Sequence, residues 1–294
     1  MTDKVLVTGA GGHLGRLVVE HLLKDQHLAP DAIVAATRKP KELVDLEERG
    51  LRVRHADFSD AASLESAFAG VARMLLISTD ALGSGARLAQ HKAAIAAAVK
   101  AGIKHIVYTS MPNPETSAVT FAPDHAGTEA ALKASGLGFT ILRNVWYQEN
   151  LLGSLPGVVK SGQWYSAAGE GRQTHIARED CARAAAAALA SPPAGNQTLT
   201  LTGAKALTTR EIAALASEVV GKPIQVIDVT PEQLAGGMKG AVLPDAIIPM
   251  LVSFDVNTKN GGFDVVTDAV KTLTGREPKP LREFLAANKA ALGG

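Results

Sequence analysis

Gly9, Gly12 and Gly15 recur at a spacing of three in VLVTGAGGHLG, between an apolar run that starts at Val5 and the helix-like stretch RLVVEHLL. A loop leading from a strand into a helix suits a phosphate or pyrophosphate. The first amides of the helix have no partner in the helix, and its dipole puts positive charge there. Gly9 is expected to make the tight turn, Gly12 to let an anion approach the backbone, and Gly15 to let the helix pack on the strand. Thr8, His13 and Leu14 complete the expected dinucleotide-binding loop. The stretch lacks the Gly-Lys-Ser/Thr ending of a mononucleotide P-loop, which argues against hydrolysis of ATP or GTP.

The second strand-like run ends in AATRKP, residues 35–40. Thr37, Arg38 and Lys39 bring positive charge and no carboxylate to the adenosine-ribose end of such a site, which points to NADPH, with NADH possible. Arg38 can fork onto a 2′-phosphate and stack on adenine; Arg38 and Lys39 as solvated loop charges is the plainer alternative. Asp57 and Phe58 follow the third run, where adenine would lie, although Asp57 could equally cap the helix that begins near Ser59 or Asp60. Ser78 and Thr79 follow the fourth run and would border the ribose and phosphates.

His125 and Glu129 share a helix face at a spacing of four. Glu129 could orient the imidazole and keep its pKa near neutrality, leaving His125 to protonate an oxygen of a bound acceptor; a capping histidine and a surface carboxylate are the alternative. Asn144, Trp146 and Tyr147 follow the sixth run, at the end of the sheet where ligands bind. An amide there can hold the nicotinamide side of a cofactor, and the rings can stack on a flat acceptor or simply seal the core. The histidines show no metal-ligand spacing with Asp, Glu or Cys, so no metal is expected. The single cysteine, Cys181, reads as a buried, inert thiol.

These residues need a scaffold. Strand-length apolar runs alternate with helical patterns from Val5 to Arg143, which argues for a parallel sheet covered on both faces. The fold class is α/β, a Rossmann-type doubly wound sheet over residues 1–145, with 176–203 expected to return to it. Residues 146–294 form a smaller C-terminal α/β substrate lobe. Two rim loops stand out. Residues 79–86 are expected to stay open or move, and 111–123, with Met111, Val119 and Phe121, are expected to cover the acceptor as a lid. At 294 residues, with 30 basic against 29 acidic side chains, the chain shows no electrostatic footprint for nucleic acid or an anionic membrane. No stretch reaches the length of a membrane span and no leader is evident, so a cytoplasmic protein is expected.

The glycine loop, Arg38, Ala56-Asp57-Phe58, HKAAIAAAVKAGIKHIVYTS and LRNVWYQEN, read together, resemble the atypical short-chain dehydrogenases of the NmrA-like group. Within it the chain is most similar to type 2 NAD(P)H:quinone oxidoreductases and the related triphenylmethane reductases. The resemblance covers essentially the whole length. It implies a monomer or homodimer with NADPH across the strand ends, no flavin, and an aromatic or quinone substrate between sheet and lobe. The wider superfamily's Tyr and Lys, four residues apart, correspond here to His125 and Glu129, and Ser110 could occupy the place of its serine. Without the tyrosine, alcohol dehydrogenation is disfavoured, whereas a quinone needs less acid help because its product is aromatic. Some NmrA-like proteins bind the dinucleotide without turning it over, so a redox sensor is the alternative to an NADPH-dependent oxidoreductase.

Overall fold

The computed structural model describes residues 3–81, 85–192, 194–240 and 244–293. Six strands and five helices alternate through the first half. The strands are β1 (Val5–Val7), β2 (Ile33–Thr37), β3 (Arg52–His55), β4 (Arg73–Leu76), β5 (His105–Ser110) and β6 (Gly138–Asn144). The helices are α1 (His13–Lys24), α2 (Val44–Glu48), α3 (Ala61–Phe68), α4 (Ala86–Lys100) and α5 (Ala122–Ala134). After β6 come β7 (Trp146–Tyr147), α6 (Leu151–Ser161), β8 (Gln163–Ser166), β9 (Arg172–Ile176) and α7 (Arg178–Ala190). The chain continues through β10 (Gln197–Leu201), β11 (Ala206–Thr208), α8 (Thr209–Val220), β12 (Gln225–Asp228), α9 (Pro231–Gly240), α10 (Ile248–Lys259), α11 (Ala269–Thr274) and α12 (Leu281–Ala287).

A seven-stranded sheet in the order β10-β6-β5-β4-β1-β2-β3 forms the centre, and all its pairings are parallel. Its order reverses between β1 and β4, which opens a crevice at the carboxyl ends of those strands. Alternate residues of each strand serve opposite layers. Val5, Val7, Ile33, Ala35 and Leu75 pack with α1 and the alanine-rich α7, whereas Leu6, Val34, Met74, Leu76 and Tyr108 pack with α3, α4 and α5. After building part of the lobe the chain returns through α7 to the sheet, where Gln197–Leu201 pairs with Thr140–Asn144.

The lobe has its own core, in which Leu151, Leu155 and Val159 of α6 face Ile212 and Ala216 of α8 and Phe284 of α12. That spacing of four makes α6 a helix despite Pro156 inside it. Small strand pairings hold the lobe together: β9 joins β7 and β11, and β8 joins β12. Helix α5 begins at Ala122, with Pro123 in its first turn. Gly127 lies inside it because a Cβ there would stand 2.8 Å from Leu88 of α4. Gly127 therefore marks a close helix contact rather than a helix end.

Candidate active site

The crevice is a cleft of about 470 Å³ walled by the glycine loop, the ends of β2 and β3, and the segment after β4. Gly9 adopts φ +61°, in the left-handed region, and its carbonyl accepts from Gly12 N at 2.9 Å. A Cβ on Gly15 would stand 2.3 Å from the Gly9 carbonyl oxygen, so this residue fixes how closely α1 meets β1. Gly12 is the N-cap of α1 and lines the cleft. No side chain caps this helix and no carboxylate occupies its first turn, which leaves the turn's amides and positive dipole end to an anion.

Arg38, Lys39, Asp57, Phe58, Ser78 and Thr79 all line the cleft, together with Gly11, Glu42 and Gln90, which sequence reasoning did not assign. Arg38 is open to solvent and stands 3.9 Å from Asp80. Glu42 is tied to Lys39 at 3.0 Å. Asp57 turns one oxygen back to Ser59 N at 2.8 Å, and the cap of α3 is Asp60. Two buried polar atoms on the wall, Thr79 Oγ1 and Gln90 Oε1, have no partner among the described residues. A polar ligand in the cleft would satisfy them. With the uncapped helix end and the cationic edge at Arg38, these residues fit a phosphorylated dinucleotide.

Other expected cofactor contacts lie elsewhere. Thr8 is buried, its hydroxyl donating to Leu75 O at 3.0 Å and accepting from Ile77 N at 2.9 Å, so its side chain staples β1 to β4 instead of lining the cleft. Leu14 packs into the sheet core, and His13 begins α1 with its side chain in solvent. Of those two residues only the backbone amides are left for an anion at the uncapped helix end.

His125 and Glu129 are both buried, but they choose different partners. Arg143 holds Glu129 through two bonds, Nε to Oε1 at 2.9 Å and Nη2 to Oε2 at 2.7 Å, and Ser110 donates to the same carboxylate at 2.7 Å. The expected orientation of His125 by Glu129 is therefore corrected: a forked guanidinium outcompetes a neutral imidazole for the carboxylate. Ser110 is committed to this pair as well. His125 Nδ1 instead lies 2.7 Å from the Tyr108 hydroxyl and its Nε2 lies 3.5 Å from Arg87. A guanidinium can only donate, so Nε2 accepts and Nδ1 carries the proton. Burial, reinforced by the nearby Arg87 charge, pushes the imidazole down to about 3, which replaces the near-neutral value expected from sequence. His91 is neutral for the same reasons, at about 3; it accepts from Thr79 N at 3.0 Å and faces Thr128 Oγ1 at 2.9 Å. The cluster thus reaches the cleft wall.

Beside it stands an aromatic group. Phe121 meets Phe254 of α10 edge-on at 5.9 Å, and Trp146 lies 4.0 Å from Phe254 between centroids. Met111, Val119 and Phe263 complete this small core. Tyr147 faces the other way, into the sheet core, with Arg178 over its ring. Its hydroxyl accepts from Asn144 Nδ2 at 2.9 Å, while Asn144 Oδ1 is buried with no partner among the described residues. The segment after β5 is docked on α10, where Asn257 Oδ1 accepts from Ser117 Oγ at 2.9 Å and Ala118 N at 3.0 Å. Any lid motion there has to carry α10 or break these bonds. In the other rim loop, residues 82–84 lie outside the described residues. Cys181 is buried. Among the described residues no group of three or more His, Cys, Asp or Glu could hold a metal, and no helix is long and apolar enough to cross a membrane.

Residues 1–285 match the model of the NmrA-like family. Quinone oxidoreductase 2 of Escherichia coli (strain K12) is 36% identical over 282 residues, 96% of this chain and 97% of that protein. The crystal structure of the NADPH-dependent quinone oxidoreductase of Escherichia coli complexed with NADPH superposes with a TM-score of 0.91 at 35% identity, covering 96% of this chain and 99% of that one. The triphenylmethane reductase of Citrobacter sp., complexed with NADP(H), gives 0.90 at 31% identity over 97% and 100% of the two chains. The chain belongs to the NmrA-like family.

Proposed function

We propose that this NmrA-like protein is an NADPH-dependent oxidoreductase that transfers hydride to a quinone or a similar flat conjugated acceptor. The observation that carries the reading is the cleft itself. It joins an uncapped helix end, a cationic edge without a β2 carboxylate, and unpartnered Thr79 and Gln90 atoms on one wall. Gly9, Gly12 and the first amides of α1 would hold the pyrophosphate, and Arg38 the 2′-phosphate. Asn144 Oδ1 would accept from the nicotinamide amide. When bound, the cofactor supplies the hydride, so the reading requires neither flavin nor metal. The aromatic group at Phe121, Trp146 and Phe254 would give a planar acceptor its stacking surface. The relatives that act on quinones and triphenylmethane dyes support this acceptor class.

The test is loss of reduced-nicotinamide absorbance with a benzoquinone, a naphthoquinone and a simple ketone, alongside direct binding of NADPH. Turnover with the quinones and not the ketone is expected. Tight binding with no oxidation by any acceptor would overturn the reading and make the chain a dinucleotide sensor.

A further inference from the structure

We propose that Arg87 is the oxyanion-binding group of this site: its guanidinium holds the oxygen of a quinone or another oxygen-bearing acceptor as that oxygen gains negative charge. The inference rests on the reductase reading above. Arg87 is only 6% exposed, yet among the described residues no carboxylate lies within ion-pair distance of it. Its contacts are with neutral groups. Nη1 meets His125 Nε2 at 3.5 Å, a long contact; the guanidinium carbon sits 4.6 Å above the Phe121 ring; and Nε is buried without a partner among the described residues. Asp124 and Asp80 favour the charge only from beyond ion-pair distance; burying a charge without a direct ionic partner is costly, and a guanidinium does not escape by deprotonation. Arg87 is also the second residue of α4, at the positive end of the dipole, where a cation is disfavoured. A packed interior has no structural need for such an arrangement. An anion that arrives during the reaction would remove both penalties at once.

The surroundings define that anion. Arg87 does not line the cleft itself; it is buried behind the wall, between a cleft residue and an aromatic residue of the acceptor side. Gln90, one turn along α4, lines the cofactor cleft; Phe121 joins it to the aromatic group on the acceptor side. His91 and His125, held neutral, add no positive charge, so among the described residues of this buried cluster the cation is Arg87. Hydride from the reduced nicotinamide forms a new C–H bond on the conjugated ring while a π pair moves onto the carbonyl oxygen. The nicotinamide is oxidised in the exchange, and a proton from water then neutralises the oxyanion, with tautomerisation giving the hydroquinone. Arg87 acts between hydride arrival and protonation. The same charge should discriminate against cationic acceptors, which need no oxyanion stabilised and are repelled by a guanidinium.

The experiment compares wild type with Arg87→Met and Arg87→Lys on a benzoquinone and on crystal violet, a cationic dye whose central carbon takes hydride directly. Arg87→Met should lose about 100-fold in kcat for the quinone, the loss typical of removing one oxyanion donor. Its KM for NADPH should stay within about 3-fold, because the pyrophosphate and 2′-phosphate contacts are untouched. Crystal violet turnover should hold or rise, Arg87→Lys should restore part of the quinone rate, and the Tm of Arg87→Met should equal or exceed that of wild type. Equal losses on both acceptors together with a fall in Tm, or an unchanged quinone rate, would overturn the proposal. If wild type reduces neither acceptor, the reductase reading fails first, and a binding assay still tests Arg87. Bound 4-nitrophenol should ionise at lower pH than free 4-nitrophenol in wild type but not in Arg87→Met; identical titrations in the two proteins would end the proposal.

Discussion

Gly9, Gly12 and Arg38 lie open to solvent in the cleft, whereas Arg87, His91, Tyr108 and His125 are buried directly behind its wall. The open region works through backbone: a positive φ, an uncapped helix end and glycines whose missing Cβ atoms leave room. The buried region works through side chains that select one another across α4, α5 and β5. The first is a local device, set by residues within one strand–loop–helix unit. The second depends on which partners the fold brings together, so its electrostatics differ from anything a spacing rule supplies. His125 illustrates this: four residues from a carboxylate, it is nevertheless neutral and bonded to Tyr108 and Arg87.

The largest effect that would break this comparison lies where the glycine loop meets the core. Gly15→Ala should cost about 3 kcal/mol or more in urea unfolding, because its Cβ would meet backbone at 2.3 Å and neither element can yield. Gly12→Ala, with its Cβ 3.3 Å from the Gly9 carbonyl, should keep the fold and lose affinity for NADPH in a binding titration. Comparable stability in the two variants would mean that the glycines are not divided between packing and anion approach.

Glu129→Gln comes next. It leaves Arg143 in a half-buried site with only the exposed Glu115 as an ionic partner, at 2.7 Å, and should cost about 3 kcal/mol in chemical denaturation. If the cost is near zero, the buried cluster is not a network.

The histidines sharpen the comparison through pH. Their folded values, about 3 for both His91 and His125, lie below the ordinary value of 6.5, so the native state favours the neutral rings. The resulting stability is present above the ordinary value and is lost as pH falls from about 6.5 toward 3. A steep drop in Tm across that window is expected in wild type and should be shallower in His91→Gln, whose side-chain oxygen can still accept from Thr79 N. Quinone reduction should show no histidine titration between about pH 6 and 8; a rate falling through neutrality would restore His125 as a titrating proton donor.

The smallest effect belongs to Arg38. Arg38→Gln should weaken NADPH binding by about 10-fold and leave NADH binding unchanged, as loss of one exposed charged contact would do. Parallel losses for both cofactors would make Arg38 a solvated charge with a general role.

The open region was legible because its signal is short-range. The three glycines, the cationic TRK stretch and the residues following each strand all appear in the order in which the sheet uses them. Thr8 is the exception: a hydroxyl at the end of a buried strand turned to the neighbouring strand, which the motif does not reveal. In the buried region, Ser110, His125 and Glu129 stood out by residue type, but their partners Arg143, Arg87 and Tyr108 come from other elements and no local pattern links them. Arg87 did leave one trace, a cation in the first turn of a helix. The lobe hid for a different reason. Gly153, Pro156 and Gly157 obscure α6, which is held by its contacts with α8 and α12 rather than by propensity.

The pairing of β10 with β6, in which Thr140 meets Gln197, also sets an order of events in synthesis. A nascent chain emerging from the ribosome can assemble β1 to β6 before β10 has been made, and the β6 edge then presents unpaired amides and carbonyls until the first part of the lobe and α7 have followed. Pauses or truncations between residues 145 and 197 would therefore yield a sheet with an adhesive border. Fragments ending there should aggregate, whereas those extending past 201 should gain solubility as the short β10 covers the longer β6.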